Sequence, residues 1–120
     1  MASIETKNMD QPDETRTPEK TSVGVVHLRD ATVGRFIFQP GWRWSDCIKP
    51  VVGTDSCQKA HLGYAVSGTM HVTFTDGTEG DVSAGYVYRL EPGHDAWTVG
   101  DEPFVGLEFE SKTAETFAKG

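Results

Sequence analysis

Only two cysteines, Cys47 and Cys57, occur in 120 residues, too few for the disulfide framework that holds small secreted domains together. One bridge between them is open to the chain, but free thiols or metal ligands suit a cytosolic setting better. Basic residues are scarce as well. Eleven Lys and Arg stand against 18 Asp and Glu, a formal net charge of −7 with no basic stretch. That argues against a nucleic-acid partner, which needs clustered Lys and Arg to displace counterions from phosphate. The same acidity argues against docking on anionic membranes. No apolar run approaches the length of a membrane-spanning helix, and MASIETKNMD at the N-terminus lacks the apolar core of a signal peptide. A soluble, cytoplasmic protein is expected. Local catalytic signatures are missing too: no GxSxG elbow, no Walker-type phosphate loop, no HExxH helix and no CxxC pair.

What the chain does have is punctuation, with 13 glycines and 6 prolines. Residues 1–20 are polar, without strand or helix period, and read as a tail or an arm laid over the domain. From Val23 the texture becomes β-rich. SVGVVHL and TVGRFIFQP are followed by WRWSDCIKP, in which Trp and Ile alternate with polar residues. After the loop KPVVGTDSCQ come HLGYAVSG, TMHVTFTDG, TEGDVSAG, YVYRLEPG, HDAWTVG and PFVGLEFE. Most of them end on Gly or Asp-Gly. Asp76-Gly77 is a strong hairpin signal, and Ser67-Gly68 and Pro92-Gly93 mark further turns. Glycine recurs too often between Val23 and Glu110 for a long helix. The domain is predicted over 21–112, all-β, a sandwich or barrel, with a tail or short helix over 113–120.

Parity gives the first view of a site, because alternate strand residues share a face. If WRWSDCIKP is extended, Arg43, Ser45, Cys47 and Lys49 line one side. His61, Gly63 and Ala65 line one face of their strand, and two small residues beside a histidine leave room for a pocket. Cys57 has the parity of His61 and is an alternative sulfur donor to Cys47. His27 and His71 are expected at the surface, Asp55 and Asp95 in turns.

The chain resembles the cupin superfamily, small stand-alone bacterial cupins in particular, over roughly residues 23–110. Gly41 followed after five residues by Cys47-Ile48-Lys49 occupies the place of the family's Gly-x5-His-x-His. His61, separated from Gly68 by six residues, falls in the slot of the acidic ligand. In the second motif Gly85 leads to Glu91-Pro92-Gly93, and His94 lies two residues before the usual histidine slot, here Ala96. Three of the four ligand slots carry another residue type and the fourth is shifted. The resemblance implies a double-stranded β-helix, or jelly-roll barrel, with an extended N-terminal arm, and a homodimer.

In such a barrel Cys47, His61 and His94 are expected to converge near one end. A thiolate with two imidazoles suits a divalent transition metal, Zn or Fe(II), and three protein ligands leave a position open for a small-molecule substrate. Lys49 beside them is expected to orient an anionic group or act as acid/base. The expected function is a metal-dependent lyase, isomerase or dioxygenase acting on a small polar metabolite. The alternatives are a metal-free binding or sensory protein, or a structural subunit docking through Trp42 and Trp44.

Overall fold

A computed structural model describes residues 3–111; the expected tail or helix over 113–120 lies outside them. Nine strands and two one-turn helices follow in the order β1 (Glu14–Arg16), β2 (Thr21–His27), β3 (Ala31–Phe38), α1 (Trp44–Cys47), α2 (Lys49–Val52), β4 (His61–Ser67), β5 (Thr69–Phe74), β6 (Glu79–Ser83), β7 (Val87–Leu90), β8 (His94–Thr98) and β9 (Phe104–Ser111). They form a six-stranded sheet, β1-β2-β3-β9-β4-β7, and a three-stranded sheet, β6-β5-β8, antiparallel throughout. Asp76-Gly77 closes the β5–β6 hairpin, with Gly77 at φ 92°. Gly68 does something different: it carries the chain from one sheet to the other at φ 76°, so close to the neighbouring backbone that a Cβ would sit 2.2 Å from the Pro103 carbonyl oxygen.

The core lies between the two sheets. Phe104 is fully buried, Met70, Val72 and Ala96 face it from the small sheet, and Phe38 stacks on Trp42 at 3.8 Å between ring centroids. Trp42 and Trp44 are 3% and 6% exposed, so these rings are core and unavailable for docking.

The segment around Cys47 departs from expectation. It is helical, in α1 and α2, and the parity that grouped Arg43, Ser45, Cys47 and Lys49 does not apply. Trp44 and Cys47, three apart on one turn, are the two buried residues of α1. The cause is tertiary. Asp95, on β8 and not in a turn, accepts a hydrogen bond from the Ser45 N–H at 3.1 Å. Arg43 lies 3.8 Å from the same carboxylate and 4.2 Å over the Trp97 ring. These contacts hold the start of α1 onto the small sheet, and a turn of four residues has too few bonds of its own to stand without them.

The N-terminal residues form an arm. β1 pairs with β2, Met9 and Pro12 lie over Gly24, Asp10 meets Arg35 at 2.8 Å, and the Asp13 carboxylate accepts the His27 N–H. The arm thereby covers the outer face of the large sheet at β2, where Val26 is 4% exposed.

Candidate metal centre

Cys57, His61 and His94 come together at one end of the barrel, and their ligand atoms lie within 4.8 Å of one another. Three elements position them. His94 opens β8 after a turn through Gly93 at φ 96°. The loop after α2 returns along this strand and bridges to it: the Cys57 N–H donates to the His94 carbonyl at 2.8 Å, and the Gly93 N–H to the Cys57 carbonyl. His61 opens β4 four residues later, beside Leu90 of β7.

Hydrogen bonds aim the rings. His94 donates from Nδ1 to the Glu91 carbonyl at 2.7 Å. His61 Nδ1 lies 2.6 Å from Glu108 Oε1, and its Nε2 lies 3.4 Å from Cys57 Sγ. The other oxygen of Glu108 accepts the Tyr88 hydroxyl at 2.8 Å. Each Nδ1 is thus committed to an oxygen acceptor, which leaves Nε2 to face the thiol. Metal-binding histidines are commonly held in this way, and the outer partner sets tautomer and basicity.

The electrostatics follow from these contacts. Burial raises the Cys57 thiol, but hydrogen bonds from His61, His94 and the Lys59 N–H outweigh it and bring the group below its ordinary value. Burial opposes the charged form of His61, yet hydrogen bonds to Cys57 and Glu108, with their negative charge, raise it well above the imidazole range. Burial and the Glu108 charge both push Tyr88 up, so its phenol stays protonated and donates.

Two of the three expected donors, His61 and His94, are therefore together, and the sulfur beside them belongs to Cys57. Cys47 is buried at 4% exposure in α1, packed in the core. Its helical backbone points it at the barrel interior, with Trp44, and it is not in the donor cluster. Both cysteines are free thiols with no bridge between them. Lys49 begins α2, which buries no side chain, and its ammonium lies 3.6 Å from the fully exposed Asp55; no hydrogen bond or ion pair links it to the three donors among the described residues. His27 pairs with Glu14 on the exposed arm. His71 sits on the outer face of the small sheet, 2.6 Å from Asp81 and against Trp97.

The space expected beside His61 is filled. A Cβ on Gly63 would lie 2.6 Å from both the Tyr88 ring and the Leu107 carbonyl oxygen, and one on Gly106 would lie 2.9 Å from the Tyr88 hydroxyl. The glycines make room for Tyr88, and Tyr88 holds Glu108. A cavity of about 380 Å³ lies elsewhere, between the edges of β6 and β7, where Val72, Phe74, Val82, Tyr88 and Leu90 line it. Phe74 is edge-on to His94 at 5.8 Å, so this cavity borders the donor cluster.

Sequence reasoning missed Glu108 and Tyr88. In PFVGLEFE the large apolar residues Val105, Leu107 and Phe109 mimic an inward row, which makes Glu108 look solvated. The signal that could have found it was Phe104, in phase with Gly106 and Glu108.

Cys47→Ser is expected to leave metal uptake unchanged and to lower stability by about 1–3 kcal/mol, because it buries a hydroxyl among apolar neighbours. Metal content and urea denaturation of the same sample check both halves.

No family model matches the sequence, and no curated protein matches it. Solved structures do. A protein of unknown function from Rhizobium leguminosarum superposes with TM-score 0.64 at 14% identity, covering 90% of this chain and 96% of its own. An RmlC-like cupin from Shewanella frigidimarina gives 0.61 at 16% identity, covering 96% of each chain. An oxalate decarboxylase of Bacillus subtilis gives 0.63 at 14%, with 91% of this chain matched to 30% of that one. The fold is the cupin fold, a double-stranded β-helix. This is a small single-barrel version of it, with a Cys/His/His group that could bind a metal.

Proposed function

We propose that Cys57, His61 and His94 bind one divalent transition metal, Zn or Fe(II), and that the protein uses it on a small metabolite as a lyase, isomerase or dioxygenase. The observation that carries this reading is the pair of imidazoles whose Nδ1 atoms are committed to Glu108 and the Glu91 carbonyl, with a thiol of lowered pKa between them. The donor set fits the metal: one soft sulfur and two nitrogens, all within reach of a single ion. When bound, the metal would act as a Lewis acid with a position left for substrate. The chain's own residues do the rest. Glu108 holds His61 in one tautomer, Tyr88 holds Glu108, and the Glu91 carbonyl fixes His94. Phe74 and Leu90 line the cavity together with the charged Glu79, Asp81 and Arg89. An oxalate decarboxylase among the fold neighbours is in keeping with a lyase. The two free thiols favour a reducing, cytoplasmic compartment.

Titration of the untagged, metal-free protein with Co²⁺ tests the proposal. One equivalent, with a thiolate-to-cobalt charge-transfer band that Cys57→Ser abolishes, is the expected result. A second reading uses the same line of atoms: Cys57, His61 and Glu108 have the order of a thiol nucleophile, its base and an orienting carboxylate. It predicts rapid alkylation of Cys57 that metal does not slow, and no metal uptake; that outcome would replace the metal reading.

A further inference from the structure

Two strand edges face each other across an open seam. β6 ends the small sheet and pairs only with β5, while β7 ends the large sheet and pairs only with β4. Along an antiparallel pair, successive residues turn their N–H and C=O groups alternately toward the partner and away from it. The Tyr86 carbonyl accepts the Ala65 N–H of β4, so Val87 and Arg89, out of phase with Tyr86, open theirs into the seam. On the other lip the Thr78 carbonyl accepts the Phe74 N–H of β5, and Glu79 and Asp81 are the residues whose backbone faces away from β5. Among the described residues no backbone hydrogen bond closes these four edge positions. Between the lips lies the cavity of about 380 Å³, floored by Val72, Phe74, Val82, Tyr88 and Leu90.

We propose that this seam binds an extended, cationic peptide segment of another protein, added as a strand beside β7 with one apolar side chain in the cavity. Hydrogen bonding selects a peptide. Open donors and acceptors at every second residue match the backbone of an incoming strand, and a pocket behind the edge reads its side chains. The cavity selects the inward residue. At about 380 Å³ it is at the small end of ligand pockets, with room for one leucine or phenylalanine side chain. Charge selects the outward residues. Glu79, Asp81 and Glu91, all with side chains more than half exposed, border the seam in a chain of net charge −7. Arg89 offsets Glu91 at 3.4 Å, and even a protonated His71, which meets both Glu79 and Asp81, offsets one of those two charges. The remaining negative charge favours lysine or arginine on the outward side of the added strand. The occupant is a different protein, because β1, β6 and β7, which end their sheets, each carry at most one cation. Two β6 edges would set carboxylates beside carboxylates, a destabilising cross-strand pairing.

Amide hydrogen exchange of the full chain, read by NMR with defined peptides, tests this. The probes are acetylated heptapeptides alternating lysine and valine, with alanine, leucine or phenylalanine at the centre. The leucine or phenylalanine probe is expected to saturate the protein below about 1 mM. It should slow exchange at the Val87 and Arg89 amides and leave Tyr88, whose N–H faces β4, unchanged. Val87→Pro removes one open donor at a strand edge, where proline is tolerated, and should weaken binding about tenfold or more with unchanged circular dichroism. Glu79→Lys combined with Asp81→Lys should reverse the preference, so that glutamate in place of lysine in the probe binds better; a misfolded variant could not do this. The proposal is overturned if no probe saturates by about 1 mM, if protection falls outside β6 and β7, or if Val87→Pro binds as wild type does. A lysine preference that survives the charge reversal overturns it too. Protection of Val87 and Arg89 without any probe, lost on dilution, would give the seam to a second copy instead. Metal content enters none of these readouts, so the result is independent of the donor cluster.

Discussion

His61→Ala should lose more than about 100-fold in metal affinity, beyond the 10–100-fold typical of removing an outer hydrogen-bond partner. His61 is the donor with the most support, since Cys57 meets its Nε2 and Glu108 its Nδ1. Glu108→Gln keeps the shape but gives up the charge, and about 10-fold is expected there. Competition against a chelating dye ranks the variants. If His61→Ala binds as tightly as wild type, the donor set is wrong. The pH dependence has a definite sign. The ligands bind as thiolate and neutral imidazole. In the metal-free protein the raised His61 value keeps that ring protonated through neutral pH, so metal must displace its proton. Affinity should therefore climb about tenfold per pH unit from neutral into the alkaline range, flattening only above the raised value. On the acid side Cys57, lowered by its hydrogen bonds, stays deprotonated below the usual thiol range. The further loss from thiol protonation should begin only as pH falls through that lowered value. An affinity that is flat with pH would mean no proton is displaced.

Gly63→Ala should cost roughly 3 kcal/mol, a large effect for one methyl group. The new carbon would meet a backbone oxygen of β9 and the Tyr88 ring, both at 2.6 Å. The ring could turn away, but the Leu107 carbonyl is part of the sheet, so β4 and β9 must separate where they pair. Displacing Tyr88 also removes the hydroxyl that holds Glu108, so metal affinity should fall alongside stability. Gly80→Ala supplies the opposite sign. A Cβ there meets nothing within 4 Å and the residue lies in a strand without positive φ. It should stabilise the protein by roughly 0.5 kcal/mol, because alanine has less backbone freedom to lose on folding. Urea midpoints of the two variants should move in opposite directions. A Gly63→Ala protein as stable as wild type would mean that the strands are not packed as described.

Much of the architecture was legible because β-structure is written locally. Turn glycines and runs of β-branched and aromatic residues marked β2 and β3, though not the short β1 of the arm, and the six from HLGYAVSG to PFVGLEFE each became one strand, β4 to β9. His61, Gly63 and Ala65 were rightly assigned to one inward face, because period 2 survives in an uninterrupted strand. The same rule failed at WRWSDCIKP. There the alternation of Trp and Ile mimics a strand, while contacts to Asp95 and Trp97, about 50 residues away, wind it into a turn and carry Cys47 into the core.

Composition and local pattern determined a β-domain of short strands joined by glycine turns, and the resemblance to cupins pointed to His61 and His94. Only the tertiary structure decided which sulfur joins them, that a buried Glu108 stands behind His61, and that the large residues of β4 and β9 face outward. The physical reason is common to all three. A strand's period says which residues share a side, but which side is inside depends on what the other sheet and a distant loop place against it.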